Sequence, residues 1–249
     1  MAAPEGPREF PATRWTQVRR ALAGDEKESG CAMGELCRDY WYPLYAYVRR
    51  SGQNPDEAED LVQSFFLTLL AKKYLEDANP AKGRLRTFLL TALKRFMAND
   101  WRNRNTLKRG GGVEMVSIDV DEAEELYRHE PADFANPEDL YEHRWVLALL
   151  QGAVDRLRLS YAERGRADAF DLMRDFLDDD GQAGYADLGK QMGVTENTAR
   201  AAVFRLRQQY RLALQDAIRE TLDDPSDSSL QEELGYLKDV LSRQGRSSA

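Results

Sequence analysis

Cysteine and histidine are scarce: Cys31, Cys37, His129 and His143 are the only examples in 249 residues. The two cysteines are six apart, which puts them on different faces of a helix, and the histidines lie far away. Neither a disulfide framework nor a metal site is expected from that spacing; the cysteines read as free thiols in a reducing compartment. Long apolar runs are missing as well, and none approaches the ~20 residues of a membrane-spanning helix. No basic segment followed by an apolar stretch opens the chain, so a cytoplasmic location without membrane contact is expected. Catalytic signatures are equally absent. There is no phosphate-binding loop, no nucleophile elbow and no glycine-rich turn after a strand. Gly110-Gly111-Gly112 follows a basic run instead. The residues predict no enzyme, no cofactor and no metal.

Strand signals are also rare, whereas 42% hydrophobic residues leave enough material for helical cores. Asn54-Pro55-Asp56-Glu57 is a helix start: a capping side chain, proline at the first helical position, then two acids at the positive helix end. Ala58, Leu61, Val62, Phe65, Phe66, Leu69 and Leu70 follow at helical spacing. Asn136-Pro137-Glu138-Asp139 repeats the pattern and launches Leu140, Trp145, Val146, Leu149, Leu150, Val154 and Leu157. An aromatic-rich helix is expected from about Cys31 to Arg50, and Thr13 or Thr16 caps an earlier one. The fold class is all-α.

Charge is distributed in blocks within a chain of net charge −8. Residues 82–109 hold nine basic residues against Asp100 alone, and residues 110–139 reverse the sign with ten acids against Arg128. Sparse apolar residues and self-repulsion make that second stretch a flexible acidic linker by composition. The expected plan is two small helical domains, residues 1–109 and 137–222, joined by a linker over 110–136. Residues 223–249 add a second linker and a short amphipathic helix bearing Leu230, Leu234, Leu237 and Leu241.

Three faces are candidates for chemistry. On the Asn54-initiated helix, Asp56, Glu57, Glu59, Asp60 and Gln63 form an acidic outer face. Solvation accounts for it; docking of a basic partner is the sharper reading. On a helix from Arg84 to Arg104, the residues Arg84, Thr91, Arg95 and Arg102 share a side, with Lys94 and Trp101 beside them. Guanidinium groups neutralise phosphates and an exposed indole stacks on unpaired bases, so this face suits single-stranded or melting DNA. The plain alternative is a solvated basic face with Trp101 half buried. The third face belongs to Tyr185–Met192, a turn at Gly193, and a long helix capped by Thr195, which together read as a helix-turn-helix. Ala199, Val203, Leu206, Tyr210 and Leu214 point inward; Glu196, Asn197, Arg200, Arg205 and Arg207 point outward. Four arginines against one glutamate over residues 195–211 favour DNA contact.

Together these passages resemble the bacterial RNA polymerase sigma factors, specifically the two-domain extracytoplasmic-function group. Asp56-Glu57-Ala58-Glu59-Asp60-Leu61-Val62-Gln63-Ser64-Phe65-Phe66 is similar to that family's polymerase-binding helix. Residues 83–112 resemble its promoter-melting and minus-ten-reading helix, and residues 185–207 its minus-thirty-five-reading helix-turn-helix. The opening Phe10-Pro11-Ala12-Thr13-Arg14-Trp15 and the tail Glu232-Glu233-Leu234-Gly235-Tyr236-Leu237 resemble a subgroup with such extensions. The resemblance implies a transcription initiation factor whose partners are core RNA polymerase and promoter DNA, with an anti-sigma factor as a further candidate. It assigns Asp56, Glu59, Asp60 and Gln63 to polymerase. Arg84, Thr91, Lys94, Arg95, Trp101 and Arg102 go to the minus-ten element, and Thr195, Glu196, Asn197, Arg200, Arg205 and Arg207 to the minus-thirty-five element. Two departures stand out: Ala201 and Ala202 replace the family's polar or basic residues, and residues 157–184 exceed its compact form. A helix-turn-helix regulator working without polymerase is the rival reading; it leaves the basic block and the acidic face unused.

Overall fold

The computed structural model describes residues 26–70, 84–103, 120–130, 136–177, 184–222 and 226–247. Those residues form helices α1 (Glu26–Arg50), α2 (Pro55–Leu70), α3 (Leu85–Asn103), α4 (Val120–Arg128) and α5 (Pro137–Glu163). After them come α6 (Ala167–Met173), a 3-10 turn (Arg174–Leu177), α7 (Tyr185–Met192), α8 (Glu196–Thr221) and α9 (Asp227–Ser247). No strand occurs among the described residues. The all-α expectation holds there; the helix expected at Thr13 or Thr16 lies outside them.

Local chemistry sets the helix starts. Asn54 Oδ1 accepts the Glu57 amide at 2.9 Å, satisfying one of the orphan donors of α2, and Glu57 reaches back to the Asn54 amide at 3.5 Å. Asn136 Oδ1 does the same for the Glu138 amide of α5 at 3.2 Å. From those caps the apolar stripe of α2 is carried inward, leaving Phe65, Phe66 and Leu69 without exposed surface. Full burial of one such side chain contributes about 1.5–3 kcal/mol, which is why α2 can tolerate a purely polar outer face.

By its contacts the chain divides into two units, residues 1–148 with 219–249, and residues 149–218. Residues 137–148 and the tail, both expected elsewhere, therefore group with the first unit. Its core is built from Tyr40, Leu44 and Tyr45 of α1, the α2 stripe, Leu85, Leu89 and Leu93 of α3, and Tyr141 and Trp145 of α5. Leu230 and Leu237 of the expected α9 stripe are buried, Leu234 and Leu241 are half-buried, and Val240, outside that stripe, is buried with them. Cys37 is a free thiol in this unit; burial pushes it up to about 12 and leaves it unreactive.

The acidic segment departs from the expected flexible linker. Residues 120–128 are helical, Ala123 is buried, and Glu124 accepts hydrogen bonds from Arg49 (2.8 and 2.9 Å) and from Tyr45 (2.9 Å). Glu130 accepts from Tyr42 at 2.6 Å and pairs with Arg144. The physical reason is pairing: acids that would repel one another in a free tether here meet arginines and tyrosines of α1 and α5. Arg49 holds the Glu124 carboxyl below the usual carboxylate range. Residues 110–119 and 131–135 lie outside the described residues.

The second unit closes on one cluster, in which Leu157, Tyr161, Phe170, Met173, Leu188, Ala199, Val203 and Leu206 are buried together. The stretch that exceeds the compact form is partly explained by α6 and the 3-10 turn: Phe170 packs against Tyr161 in a tilted arrangement with ring centroids 5.7 Å apart. Gly193 ends α7 in the left-handed conformation, φ 67°, where a side chain is strained. Gly189, inside α7 and facing that turn, has no room for a Cβ, which would meet the Val194 carbonyl oxygen at 2.9 Å.

Candidate nucleic-acid and partner-binding faces

The outer side of α2 is anionic. Asp56 and Asp60 are exposed, while Glu59 and Gln63 are half-buried and tied together by a hydrogen bond from the Gln63 amide at 2.7 Å. Burial, then the like charges of Asp60 and Asp56, raises the Glu59 carboxyl above its ordinary range. The four expected residues thus lie along one helix face, although Gln63 has a local partner and is less open than its spacing suggested.

On α3 the inward side holds Leu85, Leu89, Ala92 and Leu93, and the outward side holds Thr87, Thr91, Lys94 and Arg95, all exposed. The side chains of Trp101 and Arg102 lie outside the described residues, so the indole expected among the cations is not placed. Two of the expected cations are already paired. Lys94 bonds to Glu138 at the start of α5, and Arg84 lies 3.3 Å from Glu233 and 3.9 Å from Glu232 of α9. Arg86, a member of the same basic run, is buried rather than solvated. It bonds to Glu233 and sits between the rings of Trp145 (4.5 Å) and Tyr236 (4.1 Å). Its carbonyl oxygen accepts from the Tyr141 hydroxyl at 2.9 Å. Arg86 therefore joins α3, α5 and α9. No pattern of spacing distinguishes such an arginine from a phosphate-binding neighbour.

The α7–α8 pair presents Thr195, Glu196, Asn197, Arg200 and Arg205 exposed. Thr195 caps α8, its hydroxyl accepting the Thr198 amide at 3.3 Å. Arg200 pairs with Glu196 at 2.8 Å and lies 5.2 Å from the Tyr185 ring. An exposed i,i+4 pair is worth only about 0.3–0.5 kcal/mol, so that guanidinium can be redirected cheaply. Arg207 corrects the outward set: its Nε donates to the Phe176 carbonyl at 2.9 Å, in a half-buried position. It ties α8 to the 3-10 turn because residue 207 sits beside the buried Val203 and Leu206 stripe. Of the two departing alanines, Ala201 is exposed and Ala202 is buried at 7%. Sequence reasoning missed Phe204, which is 63% exposed one turn beyond Arg200. The available signal was its place outside the register of Ala199, Val203 and Leu206.

No described helix is long and apolar enough to cross a membrane, and no group of potential metal ligands occurs among the described residues. No match to the chain was found among curated proteins or solved structures. Residues 36–106, which span most of α1, all of α2 and all of α3, match the family model for Sigma-70 region 2.

Proposed function

We propose that this chain is a non-enzymatic transcription initiation factor of the sigma-70 type, with the two-domain organisation of the extracytoplasmic-function group. The observation that carries the reading is the region 2 match over α1–α3, because it covers the two helices whose outer faces are of opposite charge. In this reading Asp56, Glu59, Asp60 and Gln63 of α2 dock on core RNA polymerase. Arg84, just before α3, and Thr91, Lys94 and Arg95 of α3, with Trp101 and Arg102, hold the strands separated at the minus-ten element. Guanidinium and ammonium groups hold the backbone, and an indole supplies a stacking surface of about 1–3 kcal/mol per base.

The α7–α8 pair is assigned to duplex DNA upstream, with Thr195, Glu196, Asn197, Arg200 and Arg205 facing it. Base reading falls on Arg200 and Asn197 near the start of α8, and phosphate contact on Arg205. Arg207 is left with a structural role by its bond to Phe176. An overall charge of −8 disfavours tight binding of DNA by the free chain. Two weak DNA modules gain affinity when polymerase fixes their separation. The test is transcription on a genomic fragment library by core polymerase with and without the chain. Chain-dependent transcripts from shared two-part promoters support the reading. DNA binding that never needs polymerase favours the regulator instead.

A further inference from the structure

Two cations of the described α3 face, Arg84 and Lys94, have acids of the chain itself for partners, and those acids come from two different elements. Lys94 is held by Glu138 of α5 and Arg84 by Glu232 and Glu233 of α9. We propose that Glu138 and Glu232 are a built-in anionic mask on this face, occupying in the free chain the donors that single-stranded nucleic acid takes in the working complex. This deepens, and rests on, the reading of α3 as a nucleic-acid face.

Neither acid is buried. Asn136 supplies a cap hydrogen bond of α5 alongside the Glu138 carboxylate, which lies in its first turn, and Glu232 is 75% exposed. Glu233 is different: it is 1% exposed and is the buried partner of Arg86, so it anchors α9. Anchoring by Glu233 places its neighbour Glu232 at Arg84, on the solvent side of the same contact. Both outer pairs are solvent-accessible, the Lys94–Glu138 side chains being 42% and 37% exposed. Exposed pairs of this kind are weak and open readily. They compete with phosphate without blocking it, because a carboxylate and a phosphate oxygen use the same N–H donors. The mask therefore raises the concentration of nucleic acid needed by the free chain, and a strand delivered by a polymerase-bound promoter displaces it.

The experiment compares the full-length wild type with Glu138→Gln/Glu232→Gln and a charge-matched control, Asp168→Asn/Asp175→Asn, whose acids are exposed on the second unit. A labelled single-stranded oligonucleotide is titrated by fluorescence anisotropy over a salt series. Thermal melts establish that all three proteins fold alike. The mask predicts roughly 3- to 10-fold tighter binding by the Glu138→Gln/Glu232→Gln variant at low salt than by the control. It also predicts a log–log salt slope steeper by about 0.7, since Lys94 becomes available for one further phosphate contact while Arg84 keeps Glu233. Equal affinity and slope for variant and control overturn it. Promoter-directed transcription by wild type with core polymerase is measured in parallel. Transcription with no gain by the variant sinks the mask alone. A gain by the variant without transcription supports the mask and removes the initiation-factor reading.

Discussion

Removing the Glu233 carboxylate should unfasten α9 from the first unit. Glu233 is 1% and Arg86 9% exposed at the side chain, so each charge is desolvated and depends on the other. Breaking a buried pair from one side costs about 3–5 kcal/mol, because the remaining charge is left without compensation. Two features reduce the cost here. The faces of Trp145 and Tyr236, at 4.5 and 4.1 Å, still hold the guanidinium, and such contacts are worth about 0.5–2 kcal/mol. Arg84 also loses a partner but is 30% exposed and can turn to water. Glu233→Ala should therefore cost about 3 kcal/mol, lowering the melting temperature by roughly 6–12 °C for a unit of this size. Arg86→Met/Glu233→Leu removes both charges and should return most of that stability, as apolar replacement of a buried pair often does. A double-mutant cycle by urea denaturation measures the coupling. A Glu233→Ala protein within about 0.5 kcal/mol of wild type would refute the buried-pair reasoning.

Further outcomes follow from other contacts. Gly189→Ala pushes a methyl to 2.9 Å from the Val194 carbonyl oxygen and should destabilise the second unit by about 1–3 kcal/mol, read by thermal melting. Arg207→Ala should lower stability through its lost bond to Phe176, whereas Arg205→Ala should leave the melt unchanged and weaken upstream DNA binding; the reverse pattern would exchange their roles. Stability should also fall on acidification. Burial, then Arg144, depresses His143, so the unfolded chain takes up its proton first and stability is lost as pH drops below the ordinary imidazole range. Glu124 adds a second loss at lower pH, since Arg49 depresses its carboxyl and protonation releases α4; His143→Gln should abolish the first loss and leave the second.

The readable parts of this fold were those set by neighbours in sequence. Asn54, Asn136 and Thr195 act within three residues, so their caps were legible, and the stripes of α2 and α8 followed from helical period. Acids and bases were legible by position but not by partner. Glu124 bonds to Arg49, 75 residues away, and Glu233 to Arg86, 147 residues away. A carboxylate in a charged run looks the same whether it meets water or a distant guanidinium, so the segment around Glu124 read as a tether. Arg86 and Arg207 belonged to basic runs yet are held inside, by Glu233 and by the Phe176 carbonyl. Lys94 and Arg84 kept their expected face and acquired partners that spacing could not reveal.

The central claim is that the acidic face of α2 serves a polymerase. Asp60→Lys inverts an exposed charge without touching the core, so the chain should fold as wild type does. With core RNA polymerase, a labelled chain and a promoter fragment selected by the wild type, binding and run-off transcription are measured together. The account predicts that wild type forms a stable complex and directs transcription. It predicts that Asp60→Lys loses about 1–3 kcal/mol of polymerase affinity, roughly 5- to 150-fold, with transcription falling in step. A folded Asp60→Lys protein that binds and transcribes as wild type would contradict the assignment of this face, and a wild-type chain that never binds core polymerase would contradict the account as a whole.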